Sequence, residues 1–369
     1  MSLSTELNIG FVRRGYSSAG GAEAYLKRLG AGVVAAGHRA SLITAAQWPE
    51  EAWNFGPIVR LKASSAIQFA DELEKLPRQG GDVLFSLERV WRCDVYRAGD
   101  GVHRGWLQRR GELAGPLKHL RRLLNRKHSA ALRLEESLFA KRGAQRVIAN
   151  SRMVRDEIVR WYGYPTDQIE VVYNGVPRQL FEVDEQERMK ARKALGLGPE
   201  DVVVLFVGSG WERKGLRFAI EAIERNSNMK LVVAGRGNAR KLSSPRVQFL
   251  GVVRDLPALY GAADIFLLPT IYDPFSNACL EALAAGLPVI TTKANGFWEV
   301  IETGRHGTVI DEPKDVAAIG DALNFWSDPA RRLQARAENL TLAQRFDIST
   351  NVEATLRIAT QLAARAAST

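Results

Sequence analysis

The chain alternates short, almost wholly apolar runs with longer stretches whose apolar positions fall three and four residues apart. Leu7–Val12 (LNIGFV) has the continuous hydrophobicity of a buried strand. The glycine-rich turn Ser17–Gly21 follows. Ala22–Ala36 then carries Ala22, Tyr25, Leu26, Leu29 and Val33 at helical spacing and stops at Gly37, a C-cap residue. Ser41–Thr44, Asp82–Phe85, Val95–Ala98 and Gln145–Asn150 are further strand runs, with Ser151 placed to cap a helix. The pattern restarts after Gly175. Val202–Val207 (VVVLFV), Lys230–Ala234, Val247–Leu250, Ile265–Leu268 and Val289–Thr291 read as strands. Helices are predicted over Gly215–Arg225, Asn277–Ala285, Asp315–Trp326 and about Thr350–Ala367.

Such alternation predicts parallel sheets with helices on both faces. Because the pattern runs twice, two doubly wound domains are expected. The first covers 1–175 and the second 176–349, with 176–200 as a linker holding a short charged helix. A last helix, 350–369, has no strand after it and is expected to pack back towards the first domain. A length of 369 residues suits two ordinary cores. With 46% hydrophobic and 25% charged residues the chain is neither disordered, collagenous nor a coiled coil. Its two cysteines, Cys93 and Cys279, make no disulfide framework or Cys-type zinc site and suit a reducing, cytoplasmic compartment. There is no apolar run long enough to span a bilayer, and the polar start (Thr5, Glu6) does not read as a signal peptide.

Charge changes this picture locally. The net charge is +10. Residues 104–134 hold nine of the basic residues (Arg104, Arg109, Arg110, Lys118, Arg121, Arg122, Arg126, Lys127, Arg133) against Glu112 alone, a net +8. Within it, Pro116–Leu134 places Leu117, Leu120, Leu124, Ala131 and Leu134 on one helical stripe and cations on the other side, with Trp106 and Leu107 just before. A basic amphipathic helix with a flanking Trp fits an anionic membrane surface. It equally fits a surface helix with its leucines in the core. Nucleic acid is the rival partner, but no nucleic-acid-binding motif accompanies the charge.

In open α/β sheets ligands bind beyond the carboxyl ends of the strands, so the residues there are the candidates. Ser209–Gly215 (SGWERKG) lacks the Walker A pattern, and Gly235-Arg-Gly-Asn238 lacks the third glycine of a dinucleotide fingerprint. Arg213 and Lys214, at the start of a predicted helix, suit a diphosphate or simply a solvated turn. Asp273 stands eight residues before Glu281, in Asp273-Pro-Phe-Ser-Asn-Ala-Cys-Leu-Glu281, and an alanine-rich turn and Gly286-Leu-Pro288 follow. Ser276 can cap the helix carrying Glu281, whose apolar neighbours favour a binding role such as accepting from ribose hydroxyls.

Together these residues resemble retaining glycosyltransferases of family 4, over nearly the whole chain. The resemblance implies the GT-B fold: α/β, two doubly wound Rossmann-like domains facing across a cleft. It implies that Glu281 holds the donor ribose and that Arg213 and Lys214 bind the diphosphate. Phe275, Ser276 and Asn277 would offer their backbone to sugar and phosphate. Asp273 stands where the family usually has Glu, beside the donor sugar. The Arg254–Asp255 turn resembles the nucleobase loop. Gly20 and Gly21 would close over the donor phosphate, where a Cβ would obstruct approach, and Asn174-Gly175-Val176 matches the turn before the linker. Asp100, in Ala98-Gly-Asp100-Gly-Val-His103, matches the residue aimed at the reacting centre, with His103 a lesser candidate. Here the chain most resembles the lipopolysaccharide core glucosyltransferase I group.

The resemblance thus implies a metal-independent, retaining hexosyltransferase with no cofactor beyond a nucleotide-sugar co-substrate, UDP-glucose. The acceptor would be the lipopolysaccharide inner core or another anionic glycolipid. His103, Trp106, Lys118, Arg121, Arg122, Arg126 and Lys127 would meet acceptor or membrane, peripherally on the inner face of the cytoplasmic membrane. No nucleic-acid partner is expected. The alternatives are a family 4 transferase for another membrane glycan, a nucleotide-sugar epimerase, and a non-enzymatic basic nucleic-acid-binding protein.

Overall fold

The structure, a computed structural model, describes residues 6–17, 21–77, 82–114, 126–225, 228–239, 242 and 244–366. The chain divides into two compact units. One is Met1–Tyr173 with Ser349–Thr369; the other is Asn174–Ile348.

The first unit is built on strands β1 (Asn8–Val12), β2 (Arg39–Thr44), β3 (Ile58–Arg60), β4 (Asp82–Ser86), β5 (Cys93–Ala98), β6 (Ala144–Ala149) and β7 (Ile169–Val171). All pairs are parallel, in the order β3-β2-β1-β4-β5-β6-β7. The apolar β1 run is central, and Ile9, Phe11 and Val12 are almost fully buried. Helices α1 (Gly21–Ala35), α2 (Ala66–Glu74), α3 (His103–Ala114), α4 (Arg126–Glu135) and α5 (Arg152–Tyr162) surround the sheet. Ser151 caps α5, accepting from the Val154 N–H at 3.2 Å. One core layer joins Phe69 and Leu73 of α2, Tyr96 of β5, Leu134 of α4, Leu138 and Phe139 of the turn that follows it, and Ile158 of α5.

The second unit has strands β8 (Val202–Val207), β9 (Met229–Ala234), β10 (Val247–Gly251), β11 (Ile265–Leu268), β12 (Val289–Thr292) and β13 (Gly307–Ile310), again all parallel, in the order β10-β9-β8-β11-β12-β13. Its helices are α6 (Glu185–Ala194), α7 (Trp211–Lys214), α8 (Leu216–Glu224), α9 (Leu256–Ala262), α10 (Asn277–Ala284), α11 (Val316–Trp326) and α12 (Pro329–Ala343). The final helix α13 (Ile348–Ala366) packs on α1 of the first unit from Ser349 onward. A Cβ at Gly32 would lie 2.4 Å from Val352 Cγ1, so glycine there permits the close approach of the two helices. Tyr25 and Thr355 hydroxyls are hydrogen-bonded at 3.2 Å, and Asn351 Nδ2 donates to the Tyr173 carbonyl.

The stretch 176–200 carries the expected short charged helix, α6. A capping box on Asp184 and Glu187 starts α6, and Arg188 and Arg192 fasten it to Asp264. The basic segment 104–134 is described only in part. Its first three cations lie on α3, and its last three on α4, which runs into a π-helical turn at Glu136–Ala140. Leu117, Lys118, Leu120, Arg121, Arg122 and Leu124 lie outside the described residues.

Candidate functional site

In the second unit the loops after β8, β11 and β12 are laced together. Gly215, with φ +75°, lies so close to the Pro269 carbonyl that a Cβ would sit 1.9 Å from its oxygen. The Arg213 carbonyl accepts from the Ile271 N–H at 2.9 Å and the Thr270 hydroxyl at 2.8 Å. This brings the charged residues together. Lys214 Nζ forms an ion pair with Asp273, and their side chains are only 11% and 6% exposed. Arg213 Nη1 reaches the Tyr272 carbonyl at 3.4 Å. The family resemblance assigns Lys214 and Asp273 to different parts of a donor; here they hold each other. The two cations end the one-turn helix α7 and stand directly before Gly215, the N-cap residue of α8.

Asp273 is pinned from the β12 side. Its N–H donates to the Ala294 carbonyl and its carbonyl accepts from Gly296, each at 2.9 Å. Fully buried Asn295 accepts from the N–H groups of Ser276 and Phe297, both at 3.2 Å, and donates to Thr291 Oγ1 and Cys279 Sγ. Ser276 Oγ caps α10 through the Cys279 N–H at 3.4 Å. Burial pushes the Cys279 thiol up to about 12, so it stays a neutral packing group. Phe275 packs against Phe297 and Phe346, and its carbonyl accepts from Asn174 Nδ2 at 3.1 Å. The same amide donates to Asn277 Oδ1 at 2.6 Å. Asn174, legible in sequence only as an Asn-Gly turn, therefore braces the 275–277 loop. Glu281, one turn into α10, takes a 2.9 Å hydrogen bond from the buried Tyr260 hydroxyl. Arg254 is exposed, and Asp255 caps α9 at the Ala258 N–H.

In the first unit, parallel pairing lines up the carboxyl ends of β1, β4 and β5, so Arg13, Glu88 and Asp100 share one sheet edge. Arg13 bridges Glu23 at 3.2 Å and Glu88 at 3.0 Å. Burial raises the Glu88 carboxyl above its usual range, opposed by Arg13. Nothing in local sequence spacing signals this triad. Asp100 is exposed in the turn before α3. His103 opens α3, half-buried, its Nε2 3.0 Å from His128 Nδ1. Burial, with Arg89 and His128 nearby, lowers it to about 4, so it is neutral at pH 7. Its N–H and that of Arg104 donate to Glu135, a fully buried carboxylate that also takes Arg89 Nε and the Tyr162 hydroxyl.

Several members of the basic segment are occupied within the fold. Arg104 stacks on Trp161 at 4.8 Å, Arg110 on half-buried Trp106 at 5.5 Å, and Arg109 lies 3.8 Å from Glu157. Arg126 and Lys127 are exposed on α4. Gly21 opens α1, whereas Gly20, Lys118, Arg121 and Arg122 fall outside the described residues. No helix among the described residues is long and apolar enough to cross a membrane, and none of their His, Cys, Asp and Glu side chains group to hold a metal ion.

Two parallel sheets, of seven and six strands among the described residues, wrapped by helices define a GT-B glycosyltransferase fold. WaaG, a glycosyltransferase involved in lipopolysaccharide biosynthesis, matches with a TM-score of 0.80 at 21% identity, over 95% of this chain and 99% of that one. Anabaena HepE in complex with UDP-glucose matches with a TM-score of 0.73 at 21% identity, over 97% and 100%. Residues 201–327 match the family model for glycosyl transferases group 1, and residues 19–180 that for Glycosyltransferase Family 4. The chain belongs to this group 1 and family 4 class of glycosyltransferases. A probable transglycosylase of Burkholderia thailandensis is 32% identical over 257 residues, 69% of this chain and 66% of that protein. An uncharacterised glycosyltransferase of Methanocaldococcus jannaschii is 30% identical over 199 residues, 49% and 51%. The match thus spans about half to two thirds of these relatives' length.

Proposed function

We propose that the protein transfers a hexose, glucose, from UDP-glucose to a sugar hydroxyl of the lipopolysaccharide inner core, with retention at the anomeric carbon and without a metal ion. The observation that carries this is the buried Lys214–Asp273 pair, with Arg213 beside it, at the carboxyl edge of the second unit's sheet. Lys214 and Arg213 would take the negative charge that develops on the leaving diphosphate, the part a metal plays elsewhere. Asp273 would accept from donor-sugar hydroxyls and Glu281 from the ribose. The bond from C1 to the phosphate oxygen breaks and one to the acceptor oxygen forms on the same face. The acceptor proton leaves to the departing phosphate oxygen, with Asp100 orienting the hydroxyl. The nucleotide and sugar are supported by the fold shared with a protein seen with UDP-glucose, and the acceptor by the fold shared with WaaG.

Thermal melting against a panel of UDP-, ADP- and GDP-sugars tests the donor, since a ligand of the folded state raises the melting point by mass action. UDP-glucose should give the largest shift. Product analysis with lipopolysaccharide acceptor should then show an α-linked product, and Asp100→Ala should slow turnover. An epimerised sugar formed from donor alone, with no transfer, would replace this reading with the epimerase one.

We propose further that the protein sits peripherally on the cytoplasmic face of an anionic membrane. Arg126 and Lys127 are the described cations that support it. Each cation near such a surface contributes about 1 kcal/mol. Arg126→Gln with Lys127→Gln should weaken binding to vesicles containing anionic lipid about thirty-fold at low salt, with the melting point unchanged. Equal vesicle binding by both proteins would remove the membrane from the proposal.

A further inference from the structure

The Tyr260 side chain is fully buried, its ring set against Phe181 at 5.5 Å and Phe266 at 5.8 Å. Burial holds its hydroxyl well above the ordinary phenol range, with Glu281 adding to the shift, so it stays protonated and donates. It meets Glu281 Oε2 at 2.9 Å and lies 3.1 Å from the Ala278 carbonyl on the same helix. A donor locked in an apolar box fixes an acceptor's direction more firmly than a surface hydroxyl does, because the donor cannot trade its partner for water. Tyr260 lies on α9, five residues after the helix cap Asp255, whereas Glu281 lies on α10. The hydrogen bond therefore ties the helix that follows the Arg254–Asp255 turn to the carboxylate on the next one.

We infer that Tyr260 is a positioning residue: its hydroxyl sets the rotamer of the Glu281 carboxylate that grips the donor ribose. This rests on the assignment of Glu281 to the ribose made above. The role is selective. The hydrogen bonds and ring contacts of Tyr260 among the described residues are to Glu281, the Ala278 carbonyl, Phe181 and Phe266, none of them a phosphate-binding cation, so its removal should be felt through the ribose hydroxyls. Phenylalanine preserves the ring packing and deletes one hydrogen bond.

The test compares binding of UDP and of 2′,3′-dideoxy-UDP by calorimetry to the wild-type protein, Tyr260→Phe, Glu281→Ala and the double variant. The wild type should prefer UDP. Tyr260→Phe should lose about ten-fold in UDP affinity, the scale of one hydrogen bond of about 1.4 kcal/mol, and lose little for the dideoxy nucleotide. In turnover, the donor KM should rise by the same factor while kcat holds. The double variant should bind no worse than Glu281→Ala, the mark of two residues acting through one contact. A Tyr260→Phe loss equal for both nucleotides, or additive with Glu281→Ala, would make Tyr260 a packing residue and overturn the inference while leaving the ribose assignment standing. A wild type that binds both nucleotides equally would overturn the ribose assignment itself, and the inference with it.

Discussion

Lys214→Ala is expected to lose about a hundred-fold or more in nucleoside diphosphate affinity and to destabilise the second unit by about 3–5 kcal/mol, the range found when one partner of a buried ion pair is removed. Both effects follow from one contact. Asp273 is 4% exposed and Lys214 Nζ is its ionic partner, so alanine leaves a carboxylate facing low dielectric alone. The two losses can be separated. Replacing the pair together, Lys214→Met with Asp273→Leu, removes both buried charges, and stability should recover much of the deficit. Nucleotide binding should not recover, because the cation that meets the diphosphate is still missing. Chemical denaturation with and without UDP measures both. If Lys214→Ala is as stable as the wild type and UDP stabilises it equally, the pair is neither a structural element nor a phosphate site.

That pairing illustrates where sequence reading reached and where it stopped. Buried parallel strands are unbroken apolar runs, so β1, β8 and β11 were legible directly. Strands β3 and β7 have only three residues, and β13 (GTVI) opens on glycine and threonine, so none has enough apolar run to separate from a loop. The acids and bases of the site were legible as types, since Asp273, Glu281, Arg213 and Lys214 fall just beyond strands. Their mutual contacts were not, because Lys214 and Asp273 are 59 residues apart and meet only when two sheet-edge loops close. Tyr260 gave no signal: in a short apolar helix a tyrosine looks like any core aromatic, and only the position of its hydroxyl distinguishes it. Charge counting has a different limit. Of the nine cations counted over 104–134, Arg104 and Arg110 lie on tryptophans. Composition does not record which cations the fold uses for itself.

Arg192→Ala is expected to be among the most destabilising single changes in the second unit, about 3–5 kcal/mol. Sequence places Arg192 in a charged helix of a linker, where removing a cation should cost nothing measurable. In the structure its side chain is 7% exposed and its guanidinium is a junction. Nη1 donates to the Ala262 carbonyl at 3.0 Å and to Asp264 Oδ2 at 3.1 Å. Nη2 donates to the carbonyls of Gly198 and Asp201, each at 2.7 Å. Alanine would leave these buried acceptors short of a donor and open a void between α6 and the end of α9. Arg188 also meets Asp264, at 2.6 Å, so the carboxylate is not wholly orphaned, but Arg188 is more exposed and Arg188→Ala should cost less. Arg192→Lys should restore only part, since one ammonium cannot serve a fork of separated acceptors. The loss should persist at high salt, unlike that of a surface pair. Urea unfolding of the three variants, followed by a probe in the second unit, reads these differences. Equal midpoints for Arg192→Ala and Arg188→Ala would remove Arg192 as a junction. Because α9 also carries Tyr260, Arg192→Ala should blur the preference for UDP over its dideoxy form well before the unit unfolds.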